Sequence, residues 1–542
     1  MQFRKMTSVF LVLLVLMLAL SGCKNGRGPS NGDKTIVYGL EKEPSTLDPQ
    51  IASDSSSIIA VDALFEGLAR LDSKGNAIPG TAERWQANPD STEFTFSLRS
   101  DAKWSNQKPV TADDFVYAFR RAVSSQTNSS VCSQMFCLKN ARQINAGKTA
   151  PEKLGVTAVD SHTLKVELEY SYPDFPQLTA NAVFMPCNRT FFESTSGRYG
   201  LDSSFVLGNG PFRIDGKYGW AHDQYLNLKR SSSYSGSRTP LPSKVNFRVN
   251  GEGTNLSDPV AALKGGTVDA ISVSAAQARK AQAEGCTIAS YQDSTWGLCF
   301  NTSSDLMKNV NVRRAFLQAL DRKKILAHLP QDTSAADAVL LPDTTLLGEN
   351  YRKLAGAPFL LSQDAKAAQT LASGLSELGI SGSDKMKSVS VLCPDDENVK
   401  LMLNEMIISW NSQFHNYFNL EAMDESSLLS KVKSGDYVAA LYPIKPDGDG
   451  PSQVLSFFRS KDKGNFTRYN NAAYDSLLAK AENGSGTGAA ADYAAAEEYL
   501  NRQAVFYPLY YGKRYYAMAK GVSGILFHPY QGGVDLIGAG KE

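Results

Sequence analysis

The residues that could do chemistry in this chain are scattered. The five histidines, His162, His222, His328, His415 and His528, stand singly, and neither H-E-x-x-H nor the G-x-S-x-G of a nucleophile elbow occurs. A lone histidine is more often a structural side chain than a ligand or a base. Cys132 and Cys137 lie five apart rather than in C-x-x-C, so the spacing of a thiol redox motif is absent. Two acidic clusters remain. Asp113-Asp114 follows Thr111 and fits a helix start, where carboxylates favour the dipole. Asp395-Asp396-Glu397 reads as a solvated loop. Neither carries the nucleophile, base and orienting partner that a catalytic site needs. No enzymatic activity, cofactor or metal is expected.

One cysteine is placed for a different chemistry. Arg4 and Lys5 precede an apolar run from Val9 to Leu20, and Leu20-Ser21-Gly22-Cys23 closes it. The run is too short for a mature transmembrane helix, which needs about 20 residues. Its basic flank and small closing residues make it an export signal. The tetrad resembles the bacterial lipoprotein box, in which the cysteine becomes the lipidated first residue. Residues 1–22 are then the signal peptide, and residues 23–32, rich in Gly, Pro, Ser and Asn, a flexible tether. The protein is expected outside the cytoplasm, in the periplasm or on the outer face of the cell membrane, held by its lipid.

Past the leader the chain is too long for one core, since single cores stop growing near about 250–300 residues. Lys and Arg number 56 against 55 Asp and Glu, a formal charge of +1, which loss of Arg4 and Lys5 turns to −1. A nucleic-acid binder would carry a basic excess. No second run of 18 apolar residues follows the leader. Exported cysteines can form disulfides. Six remain besides Cys23, and Cys132 with Cys137 is one pairing among many.

Strands and helices alternate irregularly. Glu93 to Arg99 and the stretch TLKVELE, with Leu164, Val166 and Leu168, alternate apolar and polar residues as half-buried strands do. Thr111 to Asp114 reads as a capping box leading into a helix with Val116, Phe119 and Val123 on one stripe. Asn311 can cap a helix whose far end carries Arg322, Lys323 and Lys324, and Ala365 to Leu378 and Ala489 to Gln503 are alanine-rich helices. Mixed elements over two or three lobes point to an α/β or α+β class.

The stretch from Ala63 to Val123 contains L-F-E-G-L, P-G-T-A-E-R-W, F-S-L-R and K-W-S-N-Q-K-P-V-T-A-D-D-F in that order. It resembles the signature region of extracellular solute-binding proteins of family 5, the oligopeptide and dipeptide binding subunits of ABC importers. Asn106-Gln107 stands where the family has Asp-Gly. EPSTLDP (43–49), NGPFRI (209–214), ALKGGTVDAI (262–271), NVRRAFLQALDRKKI (311–325) and YPLYY (507–511) extend the resemblance over nearly the whole mature chain.

The resemblance implies a bilobal periplasmic-binding-protein type II fold. Lobe I would comprise residues 33–62, 195–291 and 503–542, with an extra subdomain over 63–194; lobe II would span 292–502. Glu66, Gly67, Trp85, Trp104 and Asp321 would shape the fold. The implied ligand is an oligopeptide or peptide-like solute. It would be held between the lobes by a monomer that passes it to a membrane permease and its ATPase. Residues implied at the ligand are Glu43, Ser45 and Thr46 in the first-strand loop, Trp296, and Tyr437, Ala440, Leu441, Tyr442, Asp447 and Asp449. Family members commonly carry A-D-Y-x-x-P, whose Asp anchors the ligand's α-amine, and Leu441 stands at the Asp here. Either Asp447 or Asp449 takes over, or the ligand is not a free-amine peptide. Other readings are an extracytoplasmic hydrolase with dispersed carboxylates and a peptide sensor or adhesion lipoprotein that has lost transport.

Overall fold

The computed structural model describes residues 35–251, 256–415, 418–446, 448–462, 464–484, 486, 488–528 and 533–542. The leader, Cys23, the tether and Asp447 lie outside these.

A twelve-stranded mixed sheet runs through the molecule. Its order is Asn419–Met423, Ser390–Pro394, Ala439–Ile444, Thr287–Phe300, Phe506–Met518, Ala270–Val273, Thr35–Leu40, Lys244–Val249, Tyr225–Arg230 and Phe212–Ile214, with two short strands pairing off this path. The first strand reads TIVYGL and is buried on both faces of its second half, as a parallel strand between two neighbours should be. A separate antiparallel sheet orders Ala82–Ala87, Glu93–Leu98, Thr163–Glu167 and Val156–Asp160. Phe94, Phe96 and Leu98 point inward from it and their polar neighbours outward.

The buried apolar residues fall mainly into three clusters. One joins Tyr38, Phe65, Phe96, Trp104, Phe119, Phe175, Phe247 and Tyr516. The antiparallel sheet therefore shares a core with the first strand. The other two lie among residues 298–510, around Phe316 and Trp410 and around Tyr351, Phe458 and Tyr474. Each side is a lobe. The chain crosses between them on Thr287–Phe300 and returns on Phe506–Met518, which pair antiparallel from Thr287 opposite Met518 to Cys299 opposite Phe506. The ladder slips between Gln292 and Ser294 and again between Trp296 and Gly297. Such bulges bend and twist a strand pair. Beside the first slip, a Cβ on Gly512 would lie 2.4 Å from Ser294 Oγ, so the close approach requires glycine there.

Local signals are obeyed where the chemistry is local. The helix Ala112–Val123 has its capping box, Thr111 with Asp114. Asp114 also accepts a hydrogen bond from Trp104 Nε1 at 3.1 Å, tying the K-W-S and A-D-D-F segments together. Gln107 adopts φ 71°, so the turn of the family's Asp-Gly survives with a strained side chain in the glycine position. The helices Ala367–Glu377 and Gly488–Arg502 lie where the alanine-rich runs predict.

Two expectations need correcting. Asn309, not Asn311, caps the helix Val310–Gln318, and Arg322–Leu326 is a separate helix capped by Asp321 through Lys324 N at 3.3 Å. Asp395-Asp396-Glu397 is no loop: Asp396 accepts from Asn398 and Val399 N and starts the helix Glu397–Phe414. Among the described residues no disulfide forms. Cys132 Sγ accepts from Asn145 at 3.3 Å, and Cys137 faces the Gln134 carbonyl at 3.8 Å. No described helix is long and apolar enough to cross a membrane.

Candidate functional site

A cavity of about 300 Å³ lies where the lobes meet. From the first lobe it takes Leu71, the turn around Lys74, Tyr172, Asp174, Tyr291, Phe527 and His528; from the second, Asp343, Thr345, Gly348, Gly448 and Asp449. Contacts between the lobes fasten the junction. Gln453 Nε2 donates to Tyr172 Oη at 3.4 Å, Ser452 Oγ meets Tyr170 Oη at 3.5 Å, and Arg142 forms an ion pair with Asp462. Tyr172 packs over a glycine loop. A Cβ on Gly448 would sit 3.4 Å from its hydroxyl and one on Gly450 3.4 Å from its ring.

Two carboxylates dominate the chemistry. Asp174 lies between Pro173 and Pro176 at the start of the short helix Phe175–Leu178. It makes no side-chain cap bond there, although aspartate is a preferred cap. Among the described residues its carboxyl accepts one hydrogen bond, a long one from Gln177 Nε2 at 3.5 Å. Burial, helped by the neighbouring charge of Asp449, pushes its carboxyl up to about 7. Asp449 follows the strand Ala439–Ile444 and is held by Thr345, whose Oγ1 donates to Oδ2 at 2.7 Å and whose N donates to the Asp449 carbonyl at 2.9 Å. Burial raises Asp449 too, against the bond from the Thr345 hydroxyl. Burial also pulls the His528 imidazole below its ordinary value, favouring the neutral ring. Among the described residues no group of three or more His, Cys, Asp or Glu could hold a metal.

Of the residues expected at the ligand, Asp449 lines this cavity. Asp447 lies outside the described residues. Glu43 is engaged elsewhere, accepting from Trp220 Nε1 at 2.8 Å and Asp223 N at 3.0 Å and pairing with His222 Nδ1 at 2.7 Å. Ser45 Oγ donates to Asp54 at 2.6 Å, and Thr46 is tied to Ser57 and Asp48, so both hold their own loop. Trp296 stacks on Tyr510 with ring centroids 5.8 Å apart and planes 10° apart. Tyr437 donates to the Phe466 carbonyl at 2.9 Å, and the Tyr442 ring lies 4.5 Å from that of Phe466.

Ala440 and Leu441 are fully buried. Leu441 sits opposite Leu298 in the sheet and belongs to the core around Phe316 and Trp410. A carboxylate at that position would be buried among apolar side chains, not presented to a ligand. Leu441 is thus a core residue of the second lobe and does not line this cavity. The acidic loop after the strand is where this segment reaches the cavity. Tyr172 and Asp174 were not singled out from sequence. The only signal is a tyrosine followed by an acid between two prolines in SYPDFP, an ordinary loop composition.

The model for bacterial extracellular solute-binding proteins, family 5 Middle, matches residues 76–466. The chain is 27% identical over 491 residues to the oligopeptide-binding protein OppA of Bacillus subtilis, covering 88% of each. It is 29% identical over 482 residues to the periplasmic murein peptide-binding protein MppA of Escherichia coli, covering 88% of this chain and 87% of that one. A solved structure of that MppA superposes with a TM-score of 0.76 at 26% identity, over 94% of this chain and 99% of the other. Against MppA in its unliganded open form the score is 0.66 at 25% identity, over 94% and 98%. The arrangement of lobes here is thus nearer the former than the open form.

Proposed function

This chain belongs to the bacterial extracellular solute-binding proteins of family 5, and we propose that it is the substrate-binding component of an ABC importer that captures oligopeptides between its two lobes. The observation that carries the reading is the cavity at the lobe junction, closed by Tyr172 over the 448–450 loop and reached by polar groups from both sides. Its lining fits a solute that must be gripped by two bodies at once, and relatives over most of the chain's length are peptide-binding proteins by name. In this reading lobe II spans 292–502 and the rest of the mature chain is lobe I; the separate cores support two bodies, although the first residues of the returning strand, Val505 to Tyr510, pack with the second. The crossing strands are the hinge. A ligand drives closure only through contacts with both lobes in the closed state.

The protein would be exported, lipidated at Cys23, monomeric, and would hand its ligand to a permease driven by an ATPase. The test is native mass spectrometry of the protein purified from its source, followed by titration with a peptide library and scattering with and without ligand. Bound peptides returned intact, with a smaller radius of gyration on binding, are expected. Cleaved peptides would point to the hydrolase instead, and an unchanged radius with no bound peptide would sink the binding role. Finding the mature N-terminus away from Cys23, or Cys23 without acyl chains, would overturn the anchor.

A further inference from the structure

Resting on the lipidated reading above, we propose that the far edge of the large sheet, around Arg213 and Lys217, is a docking surface for anionic phospholipid headgroups. Phe212–Ile214 is the last strand in the sheet order, at the opposite end from the strands of lobe II. Register ties this edge to the start of the described chain. Thr35 lies opposite Lys244, Lys244 opposite Lys229, and Lys229 opposite Arg213. Neighbouring strands sit about 4.8 Å apart, so Arg213 is roughly 14 Å from Thr35 across the sheet. Thr35 in turn follows Cys23 by twelve positions, a reach of at most about 40 Å. An acylated Cys23 therefore keeps this edge close to the membrane.

The chemistry of the edge suits a phosphate. A cavity of about 310 Å³ is lined by Ser105, Ser203 and Ser204, by Arg213 and Lys217, and by glycine backbone and a few apolar side chains, with no acid in its lining. Among the described residues no ion pair or hydrogen bond reaches the Arg213 guanidinium, and no carboxylate pairs with Lys217. Lys229, Lys244 and Arg230 add three more cations along the same rows. Two acids stand close by, and both are engaged. Asp215 pairs with Lys229 at 2.6 Å, and Asp202 accepts from Ser203 Oγ at 3.0 Å and Ser204 N at 3.1 Å. A chain balanced overall at 56 basic against 55 acidic residues thus concentrates positive charge beside its anchor, where an anionic leaflet attracts it. Tyr218 is 80% exposed at the turn from Gly216 to Gly219, with Lys217 Nζ 5.6 Å from its ring centroid. An exposed tyrosine beside a lysine suits the headgroup level of a bilayer. Acyl chains limit how far the body can stray but leave it free to turn. Docking by this edge sets its orientation and leaves lobe II, at the other end of the sheet, free to open and close.

Vesicle sedimentation of the mature chain carrying Cys23→Ala removes the acyl contribution and reads this surface alone. The chain should bind phosphatidylcholine vesicles containing about 30% phosphatidylglycerol at least about tenfold better than pure phosphatidylcholine. Raising the salt from about 50 mM to about 500 mM should abolish the difference. Arg213→Gln, Lys217→Gln and Lys229→Gln made together should lose the preference. Lys323→Gln, Lys324→Gln and Lys353→Gln, an equal change of charge in lobe II, should keep it, with cooperative melting confirming that both variants fold. On the lipidated protein, amide exchange over residues 212–219 should slow on the anionic vesicles and not on the neutral ones. Equal or absent binding to the two vesicles would overturn the proposal. So would a preference that survives the first triple variant or vanishes in the second, or unchanged exchange over 212–219. A Cys23 found without acyl chains would sink the anchor instead, and the vesicle preference of the Cys23→Ala chain does not depend on it.

Discussion

Two groups of acids in the first lobe and at its border are built in opposite ways. Glu66, 1% exposed, accepts from Arg70 Nε at 3.0 Å, Tyr234 Oη at 2.5 Å and Arg99 Nη2 at 3.4 Å. Close by, Asp535 accepts from Arg238 Nη1 at 3.0 Å, with Arg70 Nη1 at 3.8 Å. Glu66 also exchanges backbone bonds with the Asn209 side chain, so the L-F-E-G-L and N-G-P-F segments are fastened together. Among the described residues Asp174 and Asp449 have no such guanidinium partners. A buried charge matched within the fold holds the fold; a charge left unmatched by any guanidinium is a cost the fold carries.

The same change of carboxylate to amide should then have opposite signs at the two places. Glu66→Gln leaves Arg70 and Arg99 without their shared anion and should cost about 3–5 kcal/mol, read as a lower denaturant midpoint. A loss under about 1 kcal/mol would break the comparison at its matched end. Asp174→Asn removes an unpaired buried charge and should stabilise the ligand-free protein at pH 7.5, by roughly 1–3 kcal/mol, the same scale as the cost of an unsatisfied buried group. A lower melting temperature in that variant would show that Asp174 has a structural partner after all.

Proton linkage sharpens the contrast. Asp62 and Asp174 are both pushed up to about 7 by burial, so the folded chain holds protons there that the unfolded chain has already released. Stability should therefore fall as pH rises from about 4 toward 7, by up to about 1.4 kcal/mol per pH unit for each group. Thermal melts across that range should show the decline, and Asp174→Asn should flatten part of it. Stability unchanged across the range would contradict both assignments.

The smallest effect is expected at Asp54. It caps the helix Ser55–Leu64 through Ser57 N at 3.0 Å and also holds Ser45, and these bonds keep its carboxyl below the ordinary range despite burial. Asp54→Ala should cost about 1 kcal/mol. Its contribution is present above the unfolded carboxyl value and fades as pH falls through the lower folded one, the reverse of Asp174. If the Glu43–Thr46 loop touches ligand, the variant should also weaken peptide binding; unchanged affinity would confine the loop to a structural role.

Much of the fold was legible because its determinants are short-range. The Thr111–Asp114 box, the alternation from Glu93 and the alanine-rich runs depend on neighbours within one turn or one strand. The errors came where a short signal had two readings. Asn309 and Asn311 are both good caps, and three successive acids suit a solvated loop as well as a helix start. The site was less legible. Leu441 drew attention through a motif position, but strand pairing with Leu298 turns it into the core. Asp174 drew none, because nothing local distinguishes an acid that will meet a cavity from one that will meet water.

By itself, then, the sequence determined the class of elements, the likeness to a family and the lack of local catalytic motifs, since these are properties of contiguous residues. The tertiary structure decided which acids are matched and which are not. Asp449 lies 275 positions beyond Asp174, and only the return of the chain along Phe506–Met518 against Thr287–Phe300 sets the lobes that carry them face to face. Charge, burial and the absence of a counter-ion are relations between distant segments, and they come into being only when the two lobes meet.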